Sequence, residues 1–476
     1  MTISDAILLG SAAAQRAALD RGELRAVDLT YAYLKRIEAI DGDLRGFVHV
    51  DPVTALKQAQ DADQRLQAGE RSPVLGLAFG VKDVIDVGGM PTTYGSRAFA
   101  DNMAAEDAGA VARIRQAGGV ILGKTNTFEF ALVMPSPLHR ESRNPWDRYR
   151  VTGGSSNGSA TAVSAGLCSI ALGSDTSGSI RNPAAYCGVT GLKPTHGRVS
   201  LHGVGVLASS MDTVGPMARS VDDCALAMQV LAAHDPADAR SAERAADDYL
   251  RSAVAGELVI GVPDSWFPDL HDLETDENWR AALRQLQEIG VRARPVSLPP
   301  LDRLTELWAE IAAPEALEWH ESSLMARRDA YGPAPLAVLD RLKGLNGIVH
   351  VRARRDAFEL RRAVEAAMAG VDVLVVPTTP VTAFTFDEAR TDRIACGGRA
   401  IDSGTATVGF TRLFSITGQP ALAVPSGVAA NGMPLSLQVA ARHFDEAKVL
   451  AVGRMIESVC RFSVTPPLFR MAADPC

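Results

Sequence analysis

Cysteine is scarce in this chain. Six thiols, at positions 168, 187, 224, 396, 460 and 476, are spread over 476 residues, and no two share C-x-x-C spacing. That pattern argues against a disulfide framework and leaves buried thiols as the simpler reading. The nine histidines are scattered too, with no H-x-x-x-H or H-E-x-x-H, so no zinc site is expected. Aromatic residues make up only 5% of the chain, so the core must rest on Ala, Val, Leu and Ile. Positive charge is not in excess: 56 acidic side chains face 48 basic ones, for a net charge of −8. A nucleic-acid binder needs a basic stripe, and none is present. Long apolar runs are missing as well, since no segment approaches the roughly 18 uninterrupted apolar residues of a membrane span. Val373 to Val376, for example, is stopped by Pro377. The N-terminal MTISDAILLGSAAAQ has no basic n-region, which speaks against a secretory signal. A soluble cytoplasmic protein is expected, with no membrane and no nucleic-acid partner.

What remains is ordinary globular material, 47% hydrophobic and 22% charged. Residues 4–40 read as mostly helical, with Asp28 as a cap and Leu29, Tyr33, Ile37 and Ile40 recurring at helical spacing. A second helix is expected over 52–68. From 75 to about 235, short apolar runs alternate with glycine-rich turns and helical patterns. Phe79-Gly80-Val81 leads as a strand into Lys82, Val120 to Leu122 and Ile170 to Leu172 read as strands, and 110–117 and 159–167 as helices. This alternation predicts α/β architecture around a buried sheet. Strand signals recur at 258–262, 371–376, 421–424 and 436–440, and helical ones at 275–289 and 445–459. The expected organisation is one domain over 1–476: N-terminal helices (1–70), a core (75–235), a variable helical substrate region (236–345) and a sheet-completing C-terminal part (346–476).

Two segments concentrate hydroxyls and glycines: Thr152 to Ala160 (TGGSSNGSA) and Gly173 to Arg181 (GSDTSGSIR). A free serine is a weak nucleophile at neutral pH and needs a nearby proton acceptor. Glycine lets backbone N–H groups converge, as an oxyanion hole requires. Thr176-Ser177-Gly178-Ser179 could supply both nucleophile and donors. Each segment alone is equally readable as a tight turn, since Gly and Ser are common turn residues. Lys82 upstream could be the base, provided burial keeps it neutral, or an ordinary surface charge beside Asp83.

With these segments the chain resembles the amidase signature family. The motifs are GVKD (80–83), GKTN (123–126), RNPWD (143–147), GGSSNGSA (153–160) and GSDTSGSIRNPAAYCGVTGLKPTHGRVS (173–200), and Ser155 and Ser179 lie 24 residues apart, as the family's two catalytic serines do. The resemblance runs from about 75 to 235 and resumes weakly at 371–441. It implies an amidase-signature fold, a large mixed, mostly parallel β-sheet sandwiched by helices. It also implies a Ser-Ser-Lys relay: Lys82 as base, Ser155 as the bridging serine on a cis peptide, and Ser179 as nucleophile forming an acyl-enzyme. The backbone N–H groups of Thr176, Ser177, Gly178 and Ser179 match the oxyanion hole. Asp175, Arg181 and Ser156 match polar residues that brace these loops. Asn157 and Ser177 stand where glycine is commoner in the family. No cofactor and no metal are implied.

Two other motifs fit less well. Gly118 to Thr125 (GGVILGKT) matches G-x-x-x-x-G-K-[ST], but Val120-Ile121-Leu122 fill the loop and read as a strand themselves. Gly154 to Gly158 matches G-x-S-x-G around Ser156, with His196, His202 or His443 as triad candidates. The polar, proline-containing Asn144 to Arg150 precedes it, where a nucleophile elbow needs a hydrophobic strand.

Within the family, residues 196–236 look like the glutaminase-type component of the tRNA-dependent amidotransferase, its A chain. Residues 132–142 (LVMPSPLHRES) do not, and the segment Val408 to Pro425 lacks the acidic residue that the resemblance would place near Val408. The expectation is therefore a stand-alone amidase, monomer or homodimer, acting on a small amide, anilide or carbamate such as an aryl acylamide. The alternative is the amidotransferase component. Phe128, Met134, Trp308, Leu317 and Ile348 are candidates for an apolar pocket, each equally readable as core.

Overall fold

A computed structural model describes residues 3–132, 136, 138–251, 257–267, 270, 272–344, 346–463 and 465–467. Its centre is an eleven-stranded mixed sheet in the order β1-β3-β2-β4-β6-β5-β12-β13-β9-β7-β8. The strands are β1 (Phe47–Val50), β2 (Ala78–Lys82), β3 (Val120–Thr125), β4 (Ile170–Asp175), β5 (Thr190–Lys193), β6 (Thr213–Ala218), β7 (Val259–Pro263), β8 (Arg292–Val296) and β9 (Val373–Pro377), followed after a small two-stranded hairpin by β12 (Ala421–Val428) and β13 (Pro434–Ala441). The hairpin is formed by β10 (Ile394–Cys396) and β11 (Arg399–Ile401). Parallel pairing holds β3, β2 and β4 together on one side and β9, β7 and β8 on the other. Antiparallel strands β6, β5, β12 and β13 join the two blocks.

The central strands are buried on both faces because helices cover both, so they read as apolar runs rather than alternating ones. Phe79, Val81, Ile121, Ile170, Leu172, Leu422 and Leu437 are all fully buried. With so few aromatics, alanine does much of the filling. The helix Val221–Leu231 buries Ala225 and Ala227 against this sheet.

The N-terminal helical reading holds with one correction. The region divides into Asp5–Leu8, Ala12–Asp20, Ala26–Arg36 and a π-helical turn Ile37–Asp41. Asp28 lies inside the first turn of its helix rather than at its cap. The free N–H groups of Ala26 and Val27 are instead met by the carboxylate of Asp63, from the helix Pro52–Gln67. The cap is tertiary, so local spacing could not reveal it.

The parallel pairing of β2 with β4 positions the site. Phe79 pairs with Ile170 and Val81 with Leu172, so both strands end at the same edge, one in Lys82 and the other in Asp175. Ligand sites in α/β sheets favour this carboxyl edge. Among the described residues no helix is long and apolar enough to cross a membrane, and no group of three His, Cys, Asp or Glu side chains gathers as a metal site would require.

Candidate active site

Lys82 is fully buried at the end of β2. Its Nζ lies 2.8 Å from Ser155 Oγ and 2.9 Å from Ser174 Oγ, with the Ser174 carbonyl at 3.4 Å. Burial pushes its pKa down from 10.5 to about 7, against the opposing pull of the Asp175 and Asp212 charges. Burial disfavours the ammonium because it removes hydration. The surface-charge reading of Lys82 beside Asp83 fails. Asp83 is equally buried and pairs with Lys124 at 3.0 Å. That pair also disposes of a phosphate loop at 118–125, since Val120–Thr125 is a buried strand and Lys124 is spent on Asp83 and Thr92.

Ser155 sits on the turn before the helix Asn157–Ser164, and its peptide bond with Gly154 is cis. Gly154 packs on the Phe128 ring so closely that a Cβ there would lie 2.2 Å from it. Ser156 is buried, with its hydroxyl donating to the Ser174 carbonyl and its N–H to the Ser179 carbonyl. It braces the site and cannot serve as an exposed elbow nucleophile.

Ser179 lies on the turn between β4 and the helix Arg181–Tyr186. Among the described residues, no protein group accepts from the N–H of Ser177, Gly178 or Ser179. Gly178 has φ +139°, and a Cβ there would meet Thr411 Oγ1 at 2.0 Å, so only glycine fits. The turn is tied down on three sides. Thr176 donates to Asp212 at 2.6 Å and accepts from Trp308 Nε1 at 3.1 Å. Thr411 Oγ1 donates to the Ser177 carbonyl at 2.7 Å. Arg181 and Asp175 form a fully buried pair at 3.0 Å, and the guanidinium reaches the Thr411 carbonyl, Gln438 and Ser415 as well. Burial would raise the Asp175 carboxyl, but the charge and hydrogen bonds of Arg181 outweigh it and hold it below the usual carboxylate range. The Ser177 hydroxyl is buried without a partner.

Ser155, Thr176, Ser177 and Ser179 open onto one cavity of about 520 Å³. Phe128, Leu207, Trp308, Phe384 and Val408 supply apolar wall, and Arg341 and Arg412 also line it.

Set beside known proteins, this arrangement has clear relatives. The family model described as Amidase matches residues 28–450. The chain belongs to the amidase family. It is 38% identical over 500 residues to the A chain of the glutamyl-tRNA(Gln) amidotransferase from Roseiflexus sp. (strain RS-1), covering 98% of each protein. Among solved structures, it is similar to a vestigial protein complex bearing on the origins of an s-triazine catabolic enzyme, at 30% identity and TM-score 0.88, covering 94% of this chain and 98% of that one. It is also similar to the native peptide amidase from Stenotrophomonas maltophilia, at 31% identity and TM-score 0.83, covering 96% and 98%. As a member of the amidase family the chain is an enzyme acting on carbon–nitrogen bonds.

Two of the five apolar candidates, Phe128 and Trp308, line the cavity. Met134 lies outside the described residues. Leu317 does not line the cavity and packs instead against the cluster that holds Phe130 and Tyr331. Ile348 is 64% exposed on the helix Gly347–Ala367. None of His196, His202 and His443 lines the cavity. Residue-level reading missed Ser174, Asn182, Asp212, Thr411 and Arg412. Asn182 and Asp212 lie inside stretches singled out for resemblance, but no local pattern gives their roles. Thr411 and Arg412 reach the site only through tertiary packing.

Proposed function

We propose that the chain hydrolyses a small amide through an acyl-enzyme on Ser179, with Lys82 as base and Ser155 as proton relay. The observation that carries this reading is the contact of Lys82 Nζ with Ser155 Oγ at 2.8 Å, made by a lysine whose pKa burial lowers to about 7. A base works best with a pKa near the working pH. As Ser179 Oγ attacks the carbonyl carbon, its proton passes to Ser155, and the Ser155 proton passes to Lys82. The oxyanion is met by the unengaged N–H groups of the turn at 177–179. Lys82 then returns a proton through Ser155 to the departing nitrogen, and the C–N bond breaks. Water attacks the Ser179 ester by the same relay, releasing the acid.

Fluorophosphonate labelling with peptide mapping tests this. One adduct on Ser179 is expected, absent in Ser179→Ala and greatly slowed in Lys82→Ala. An adduct on Ser156 that survives both changes would refute the relay.

The apolar wall supports an aryl or alkyl amide, anilide or carbamate. A second reading concerns the setting of the chemistry. Several curated relatives are amidotransferase A chains matched over nearly their whole length, which favours a component working with partner proteins over the stand-alone enzyme expected from residues 132–142 and 408–425. Sedimentation of the purified chain with a parallel amide assay separates the two. A lone active particle supports the stand-alone enzyme, and activity only with partners supports the amidotransferase component.

A further inference from the structure

We infer that the amide substrate carries a carboxylate, held in the cavity by Arg412 and Arg341, and carries no ammonium group. This deepens the proposed function and rests on Ser179 being the nucleophile.

Both guanidinium-bearing residues line the cavity that holds Ser155 and Ser179, and no Asp or Glu stands among its described lining residues. Arg412 is fixed to the catalytic turn through its neighbour. Thr411 donates to the Ser177 carbonyl at 2.7 Å and accepts from Arg181 at 2.9 Å. The Arg412 guanidinium lies 5.7 Å from the Trp308 ring centroid, and Trp308 itself donates to Thr176 in that turn. Nη1 donates to Thr305 Oγ1 at 2.6 Å, but Nε is buried with no partner. No carboxylate comes within ion-pair distance of Arg412 or Arg341 among the described residues. Asp402 acts on Arg412 at longer range, with both of its oxygens engaged by Thr405. Burial lowers the Arg412 pKa against that pull.

Arg412 is half-buried, and its partners differ from those of the fully buried Arg181 and Arg198. Arg181 is surrounded by acceptors on Asp175, Ser415, Gln438 and Thr411. Arg198 reaches two carbonyls and the Tyr249 hydroxyl. Arg412 has one neutral hydroxyl and a ring face. The Trp308 ring lies beside the guanidinium but leaves the Nε donor unmet. A partly desolvated cation beside an apolar wall is a site for a carboxylate, which guanidinium binds with strong, directional hydrogen bonds. An ammonium on the same ligand would add a third cation next to two guanidinium groups, with no lining carboxylate to balance it.

The test pairs isosteres. Glutaramate is compared with valeramide and adipamate with hexanamide, in wild type, Arg412→Gln and Arg412→Lys, with glutamine as the ammonium-bearing partner of glutaramate. The expected kcat/KM preference for the acid of each pair is about tenfold or more, the effect of one charge-assisted hydrogen-bonded contact. That ratio should fall toward one in Arg412→Gln and be partly kept in Arg412→Lys. A wild-type ratio near one, or a ratio that Arg412→Gln leaves unmoved, overturns the carboxylate site. Glutamine turned over as fast as glutaramate overturns the exclusion of ammonium. If none of these amides is cleaved, protection decides: glutarate and adipate are expected to slow fluorophosphonate labelling of wild-type Ser179. Labelling that both diacids leave unchanged overturns the carboxylate site while the nucleophile stands. Failure of Ser179 to label at all brings down the proposed function, and this inference with it.

Discussion

Asn182 grips Gly154 from both sides: its Nδ2 donates to the Gly154 carbonyl at 2.7 Å, and its Oδ1 accepts the Gly154 N–H at 2.8 Å. The same Nδ2 donates to the Gly178 carbonyl at 2.8 Å. One buried amide therefore locks the Ser155 loop to the Ser179 turn. Replacing it by Ala should leave buried polar groups unmatched at a cost of about 1–3 kcal/mol. It should also loosen the mutual placement of the two serines. Small misplacements of reacting groups can cost about a hundredfold in rate. Asn182→Ala is expected to lower kcat/KM on that scale, with a drop in urea midpoint measured in parallel. Activity within about twofold of wild type would show that the clamp is structural only.

Lys82 supplies a prediction about pH. Its folded pKa is about 7, below the ordinary 10.5. Between these values the unfolded chain keeps a proton that the folded chain has released, so stability rises with pH across this window. Below about 7 the full penalty of the buried lysine remains. Lys82→Met should therefore abolish activity yet stabilise the fold by a few kcal/mol at neutral pH, a gain that fades toward pH 10. Thermal melts at several pH values check the sign. With Lys82 as the proposed base, wild-type kcat/KM should climb as pH rises through about 7, where Lys82 becomes neutral. A rate that is flat from pH 5 to 9, or a Lys82→Met protein less stable than wild type at pH 7, would oppose this account.

How much of this was legible in the sequence follows the range of the interactions. The β2 and β4 strand ends, the serine turns and the helices that flank them are local patterns, and they stand where apolar runs and glycine turns place them. The Asp63 cap on the helix Ala26–Arg36 is set by an acid 37 residues away from Ala26. Arg181 finds the Thr411 carbonyl across a separation of 230 residues and Gln438 across 257. No spacing rule reaches so far. Leu317 and Ile348 fail as pocket residues for a related reason. Apolar character says that a side chain favours burial, and it does not say which cavity a long helix turns toward. Ile348 shows that even burial can be forgone.

Gly178 offers a steric test. Its φ of +139° strains any side chain, and the Cβ of alanine would fall 2.0 Å from Thr411 Oγ1. Either the turn or Thr411 must move, and Thr411 holds the Ser177 carbonyl. Gly178→Ala should lower kcat at least about a hundredfold, as loss of an oriented oxyanion donor does. A substrate KM that changes far less would mark the loss as one of transition-state stabilisation. Wild-type kcat in the variant would show that the N–H groups of this turn are not aimed at the oxyanion.

Asp175 joins the stability of the turn to the charge of Lys82. Its pair with Arg181 is fully buried at 3.0 Å, and Ile180 and Ser415 also donate to it. Removing the charge in Asp175→Asn leaves Arg181 uncompensated, which in buried pairs costs about 3–5 kcal/mol. Because the Asp175 carboxyl is held below its ordinary 3.8, its contribution is fully present above that value and is lost as pH falls beneath it. Wild-type acid unfolding should carry this component, and Asp175→Asn should lack it. The second consequence separates a structural role from an electrostatic one. Asp175 is the first of two carboxylates whose charge raises the Lys82 pKa against burial. With that charge gone, Lys82 should lose its proton more easily, and the midpoint of the pH–rate profile should move below about 7. A purely structural lesion would lower the plateau of that profile without shifting its midpoint. A downward shift in the folded Asp175→Asn protein would place Asp175 in the tuning of the base, and an unmoved midpoint would confine it to holding the turn.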